Sequence, residues 1–207
     1  MKILNVAIVD YGMGNLHSVQ KKLKHLNTNS EIVSDPKKLL DADRIILPGV
    51  GHFQKAMENL SALNLLDTLN ECVLTKEIPI LGICIGMQLM AKYSEEGNTE
   101  GLGWFDAEVV KFQVSNCLTF KVPHTGWNQI HKKKESVLMK NLPDQAEFYF
   151  VHAYHFKSED ETVVLNTTDY DYEFISAVEK NNIFGVQYHP EKSHDVGEQL
   201  LKNFIEL

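Results

Sequence analysis

The chain has little with which to build a disulfide framework, a membrane span or a nucleic-acid surface. Only three cysteines occur in 207 residues, and Cys72, Cys84 and Cys117 are too scattered for the paired spacing of a zinc site. Free thiols in a reducing cytoplasm are the expectation, with no metal site. No apolar run approaches the roughly 20 residues of a membrane-spanning helix, so a membrane protein is not expected. The N-terminal "MKILNVAIVD" carries a short apolar run closed by Asp10, too short for a signal-peptide core, and reads as a first strand. Lysine and arginine number 20 against 28 acidic residues, and the formal net charge of −8 supplies no positive field for a nucleic-acid backbone. The one basic run, Lys132-Lys133-Lys134, reads as a solvated loop, because three adjacent side chains face different directions on a helix or a strand. No linker rich in proline or glycine and no internal repeat marks a boundary, so residues 1–207 are expected to form one domain.

What is present, in a chain that is 43% hydrophobic, is enough apolar material for a substantial core and a pattern that organises it. The first half alternates short apolar runs with amphipathic segments: "ILNVAIV" then "LHSVQKKLKHL", "EIV" then "PKKLL", "RIILP" then a long helical stretch, "IPILGI" then "GMQLMAKY". Runs such as Arg44 to Leu47 and Ile78 to Ile83 suit strands covered on both faces. Leu16, Val19, Leu23 and Leu26 form one apolar helix face opposite Lys21, Lys22 and Lys24. From about Trp104 the pattern becomes short strand-like runs: "AEVVKF", "LTFKV", "EFYFVHAYHF", "TVVLNTT", "ISAVE" and "IFGVQYH". A final helix is expected over Val196 to Ile205, with Leu200, Leu201 and Phe204 inward. The fold class is therefore α/β: a mostly parallel central sheet flanked by helices, with added antiparallel strands in the C-terminal half.

Within that frame "GICIG" (Gly82 to Gly86) has the order of a nucleophile elbow, a sharp strand-to-helix turn that leaves its central side chain exposed. A Cβ at either flanking glycine would obstruct such a turn. Cys84 is then either a small buried core residue or a nucleophile whose thiolate is favoured by the helix beginning near Gly86. The N–H of Ile85 would point where an oxyanion forms. A base is available in "VQYHPEKS": His189 and Glu191, two apart, would share one side of an extended segment, the carboxylate orienting the imidazole. His17, His25, His52, His124, His131, His152, His155 and His194 show no metal-ligand spacing. Glu95 and Glu96 lie in the polar "SEEGNTEG" and are expected to face solvent. "LPGVGHF" (Leu47 to Phe53) lacks the lysine and hydroxyl residue of a P-loop, and its strand end can aim backbone N–H groups at an anion.

Together these segments resemble the class I glutamine amidotransferases, and more closely the glutaminase subunits of imidazole glycerol phosphate synthase. The resemblance runs along nearly the whole chain: "VDYGMGNLHSV" at 9–19, "LPGVGHFQKAM" at 47–57, "LGICIGMQLM" at 81–90, "VPHTGWN" at 122–128, "YFVHAYHF" at 149–156 and "GVQYHPEKS" at 185–193. It implies that Cys84 attacks the amide of glutamine, that His189 transfers the proton and that Glu191 orients His189. It implies an oxyanion strand in "PGVG", with Val50 and Gly51, and a role for Gly51 and Gln88 in holding glutamine. No cofactor is implied. The implied partner is a (β/α)8 cyclase subunit receiving ammonia through a closed passage, with Asn15, Trp127, Tyr149 and Lys192 at the places that meet it. Two other readings stay open: ammonia supplied for sugar amination in surface-polysaccharide synthesis, and a noncatalytic binding subunit. A free-standing cysteine peptidase is disfavoured, since no extended-peptide cleft is identifiable.

Overall fold

The computed structural model describes residues 4–207, so the expected strand start at Ile3 lies outside the described residues. In chain order the elements are β1 (Asn5–Val9), α1 (Leu16–His25), β2 (Asn29–Val33), α2 (Pro36–Leu39), β3 (Arg44–Gly49), α3 (Phe53–Ala62), α4 (Leu65–Asn70), β4 (Ile80–Cys84), α5 (Ile85–Gln88), β5 (Ala91–Ser94) and β6 (Thr99–Glu100). The second half adds β7 (Phe105–Lys111), β8 (His124–Gln129), β9 (His131–Lys132), β10 (Glu147–His152), β11 (Tyr154–Lys157), β12 (Val164–Tyr170), β13 (Tyr172–Lys180), β14 (Ile183–Val186) and α6 (His194–Ile205). Strands β2, β1, β3, β4 and β14 lie side by side and parallel. The sheet then continues through antiparallel β13, β11 and β7 to β5 and β6, while β8 and β10 pair separately as a two-stranded ribbon. The expected α/β class, parallel centre and added antiparallel strands are what the fold contains.

Burial explains the sequence pattern. Every residue of "ILGIC" in β4 is buried, as a central strand covered on both faces requires, whereas β2 at the sheet edge alternates between exposed and half-buried. Helix α1 buries Val19 and Leu23 and carries Lys22, Lys24 and His25 in its last turn, where positive charge complements the helix dipole. Helix α6 buries Leu200, Leu201 and Phe204 as expected, but starts at His194, two residues before the expected Val196. Gly197 permits this: a Cβ there would lie 1.9 Å from the Pro190 carbonyl oxygen, so the first turn of α6 presses on the preceding segment.

Three local expectations fail, two through tertiary hydrogen bonds that outcompete local preference and one through a local turn. The segment "GMQLMAKY" is not a continuous helix; α5 stops after one turn because residues 102–105 capture the backbone, with Leu102 N donating to Leu89 O (2.7 Å) and Trp104 N to Met90 O (3.0 Å). The run "LTFKV" forms no strand. Asn116 folds it into turns, its side chain accepting from Leu118 N (2.9 Å) and its carbonyl from Phe120 N (2.9 Å). Lys132-Lys133-Lys134 is not a solvated loop either. Lys132 starts from the short strand β9 and donates to Leu142 O (2.8 Å), Lys133 pairs with Glu173 (2.8 Å), and Lys134 donates to Thr162 O (2.7 Å).

The elbow glycines are fixed by space. A Cβ on Gly86 would stand 1.7 Å from Leu47 O of β3, and one on Gly82 would stand 2.6 Å from the Gly86 carbonyl. Both clashes are with backbone, of strand β3 for Gly86 and of the α5 turn for Gly82, so neither can relax cheaply. Gly86→Ala should therefore destabilise the chain by about 3 kcal/mol or more, at the upper end of single substitutions. A urea titration checks this; a midpoint close to that of the unaltered chain would show that the β3–β4 junction can yield.

Candidate active site

Cys84 ends β4 with φ 56° and ψ −110°, a conformation rare for a residue with a side chain and a mark of backbone strain held by its surroundings. Register pairs it with Gly49, so the "PGVG" segment leaves β3 beside the sulfur. The thiol is not open to solvent as an exposed elbow would suggest. Cys84 is 4% exposed and faces a cavity of about 160 Å³ lined by Val50, Gly51, Ile85, Gln88, Glu96, Val151, His152 and Tyr154 among others. A larger depression of about 720 Å³, around Lys92, Asp106 and Asp160, is open and lacks a nucleophilic thiol. The chemistry lies with the smaller one.

The segment after β14 carries the imidazole and carboxylate expected as base and orienter. His189 Nδ1 and Glu191 Oε1 are 2.8 Å apart, with side chains only 1% and 2% exposed. The carboxylate accepts, so Nδ1 carries the proton and Nε2 is turned away from Glu191. The contact is not made by an extended segment: Pro190–Lys192 is a 3-10 turn that swings Glu191 back under the ring. Ser193 anchors it, donating from Oγ to His189 O (2.6 Å) and accepting from Tyr149 N (3.0 Å), while His189 N donates to Tyr149 O (2.9 Å). His189 Nε2 meets no partner in ordinary hydrogen-bond geometry among the described residues. Burial alone would lower the pKa of the imidazole, but the Cys84 sulfur and the Glu191 carboxylate outweigh it and raise it to about 9. The ring thus holds a proton beside the sulfur at neutral pH.

The opposite wall carries histidines of the other kind. His124 Nδ1 and His152 Nε2 are 3.1 Å apart, and His152 Nδ1 donates to Tyr154 O (2.8 Å) in a nest of Phe112, Phe150, Phe174 and Tyr170. Burial lowers His124 to about 4, holds His152 well below its ordinary value and depresses His155 too. All three are neutral, and His152 orders the Tyr154 carbonyl on the wall of the cavity.

Tyr11 OH donates to Pro48 O (2.8 Å) and Asn59 Nδ2 to Tyr11 O (2.9 Å), binding the "DYGMGN" loop to the strand that precedes Val50 and Gly51. Gly51 has φ 115°, and Val50 is partly exposed. Residues 7–207 match the glutamine amidotransferase class-I family. The chain is 47% identical to imidazole glycerol phosphate synthase subunit HisH 2 of Methanococcus maripaludis over 97% of its own length and 98% of that protein. It is 41% identical to subunit HisH of Leptospira borgpetersenii over 98% and 100%. The chain belongs to the class I glutamine amidotransferases. A solved glutamine amidotransferase shares the fold with a TM-score of 0.77 at 19% identity, covering 97% of each chain.

Of the amidotransferase residues singled out from sequence, the structure gathers Cys84, Val50, Gly51, Ile85 and Gln88 around one cavity, and the Cys84 sulfur is among the groups that raise the pKa of His189, which is paired with Glu191. Trp127, Tyr149 and Lys192 form a second cluster: Trp127 and Tyr149 are register partners with rings 5.9 Å apart, and Lys192 Nζ stands 5.4 Å from the Tyr149 ring centre. Trp127 is 44% exposed and stacks on His194. Asn15 sits on a separate loop, where its carbonyl starts α1. Glu96 was expected in solvent but lines the cavity, half-buried, and accepts from Phe53 N (2.8 Å) at the start of α3. Only the fold reveals this, because the polar run around Glu96 carries no other signal.

The protonation states set the pH dependence of stability. The three neutral histidines bind protons on unfolding, so stability falls as pH drops below about 6.5; His189 releases its proton on unfolding, so stability also falls as pH rises from about 6.5 through about 9. Denaturation midpoints should peak near pH 6.5. In Glu191→Gln the His189 ring should titrate well below 9 by NMR, and an unmoved titration would remove Glu191 as its partner.

Proposed function

We propose that this chain is the glutaminase subunit of an imidazole glycerol phosphate synthase, acting in histidine biosynthesis and using Cys84, His189 and Glu191 as its catalytic triad. The observation that carries the chemistry is the strained Cys84 on its elbow, beside a buried imidazole that holds a proton. The curated relatives named as subunits of that synthase, matched end to end, support the pathway.

The sulfur of Cys84 attacks the side-chain amide carbon of glutamine, and the carbonyl electron pair moves onto oxygen. Backbone N–H groups of Ile85 and of the Val50–Gly51 segment receive that oxyanion. His189 gives its proton to the amide nitrogen, the C–N bond breaks, ammonia leaves, and a glutamyl thioester remains. His189 then takes a proton from water as the water attacks the thioester, releasing glutamate and regenerating the thiolate. Glu191 keeps Nδ1 protonated throughout. Gln88 and Glu96 supply acceptor oxygens for the ammonium end of the substrate. Ammonia passes to a (β/α)8 cyclase subunit, which docks on the face bearing Trp127, Tyr149, Lys192 and Asn15, and the closed passage keeps it from water. No cofactor takes part, and the heterodimer works in the cytoplasm. Among the described residues no helix is long and apolar enough to cross a membrane.

Purified with a cyclase subunit and its ligand, the chain should release glutamate faster than it does alone. Cys84→Ala should abolish that release; retained activity would reject the triad. Trp127→Ala should weaken cyclase binding about tenfold or more, as loss of a central aromatic does, while leaving the triad intact. Undiminished binding, measured by calorimetry, would move the interface elsewhere.

A further inference from the structure

Gln187 lies between β14 and His189, is 0% exposed, and takes no part in the triad. Its Nε2 stands 3.7 Å from Cys84 Sγ, and its Oε1 lies 2.9 Å from Gln88 Nε2. Gln88 Nε2 is also 2.9 Å from Tyr154 O. These contacts fix which end of each amide is which. Tyr154 O can only accept, so the end of Gln88 facing it must be the NH2 group. That NH2 group also faces Gln187, whose near end must then be its oxygen. The NH2 of Gln187 is left pointing at the sulfur. Turning either amide over would set donor against donor or carbonyl against carbonyl in a space closed to water.

The same order leaves Gln88 Oε1 buried and without a partner among the described residues, on the wall of the cavity. His152 Nδ1 donates to Tyr154 O as well (2.8 Å), which holds that carbonyl in place from the other side. Besides the His189 ring, Val151 O lies 4.0 Å from the sulfur, an acceptor that suits a thiol and does nothing for a thiolate. Helix α5 is a single turn, so its dipole gives the sulfur far less than a full helix would.

We propose that Gln187 is a catalytic residue of the glutaminase reaction: its side-chain N–H holds the Cys84 sulfur as a thiolate, in an orientation imposed by Gln88 and Tyr154 O. The proposal rests on the reading of Cys84 as the nucleophile. When the thiol proton passes to His189, the Gln187 N–H becomes a charge-assisted donor to the sulfur. The same bond holds the sulfur lone pair towards the cavity and the substrate carbon.

The test is alkylation of Cys84 by iodoacetamide in the full chain between about pH 5 and about pH 10, with the modified peptide quantified so that Cys72 and Cys117 do not contribute. In Gln187→Glu an oxygen replaces the donor, and in Gln187→Met the donor is lost at similar volume. Both should move the alkylation profile up by about one pH unit or more, the worth of a hydrogen bond to a charged group. Both should also lower kcat at least tenfold with the cyclase present. A purely structural role would lower the thermal midpoint and leave the profile in place, and an unmoved profile in either folded variant overturns the proposal. In the unaltered chain the Gln187 side-chain amide protons should shift by NMR as Cys84 is alkylated, and no shift would overturn it without any substitution. If Cys84→Ala keeps glutaminase activity, the nucleophile reading fails, whereas the alkylation profile reports on Gln187 alone.

Discussion

The close approach of two backbones at the end of the parallel sheet is the constraint on which the rest of the site depends. β3 and β4 run side by side to Gly49 and Cys84, and the chain after Cys84 turns so tightly that Gly86 lies against the carbonyl of Leu47. Only glycine fits there, and the turn forces Cys84 into a positive φ that unstrained chains avoid. Such strain persists because fully buried strands on both sides leave no lower-energy path for the segment. The sulfur is therefore aimed by the sheet and needs no loop to hold it.

Once the sulfur is placed, the buried polar groups around it must be satisfied, and they are satisfied in two separate ways. On one side a charged pair, His189 and Glu191, is tied to β10 through Ser193 and the Tyr149 backbone. On the other, uncharged groups form an unbroken sequence of donors and acceptors from His124 through His152, Tyr154 O and Gln88 to Gln187. Burial keeps His124, His152 and His155 neutral, and for His155 it outweighs the attraction of the Glu95 carboxylate. The fold sorts like residues into opposite roles by what lies next to them.

The sequence made the parallel half legible because strands buried on both faces leave continuous apolar runs, as "RIILP" and "IPILGI" do, and because the elbow needs its glycines for steric reasons. The His189–Glu191 contact was legible for a similar reason: the two are close in the chain as well as in space. Legibility failed where long-range hydrogen bonds decide. The run "LTFKV" is an exception, folded back by its near neighbour Asn116, but nothing local in "GMQLMAKY" announces that residues 102–105 will end the helix after one turn. Glu96 and Gln187 failed for the same cause. Each stood in a segment that drew notice, but their partners, Phe53 N for one and Cys84 for the other, are 43 and 103 residues away.

The two hydrogen-bonded sides also differ in what a change of charge does to them. When the proton on His189 leaves, the Glu191 carboxylate keeps its bond to Nδ1, because the neutral ring with Nδ1–H is still a donor; the pair changes charge without changing geometry. On the neutral side no such tolerance exists. A proton added at His152 Nε2 would set two donors against each other across the 3.1 Å contact with His124 Nδ1, although His152 Nδ1 would still donate to Tyr154 O. The charge on His189 itself opposes that proton, since it is among the groups that depress His152. A positive charge on His189 therefore helps to keep the His124–His152 contact in its neutral arrangement, with one donor and one acceptor.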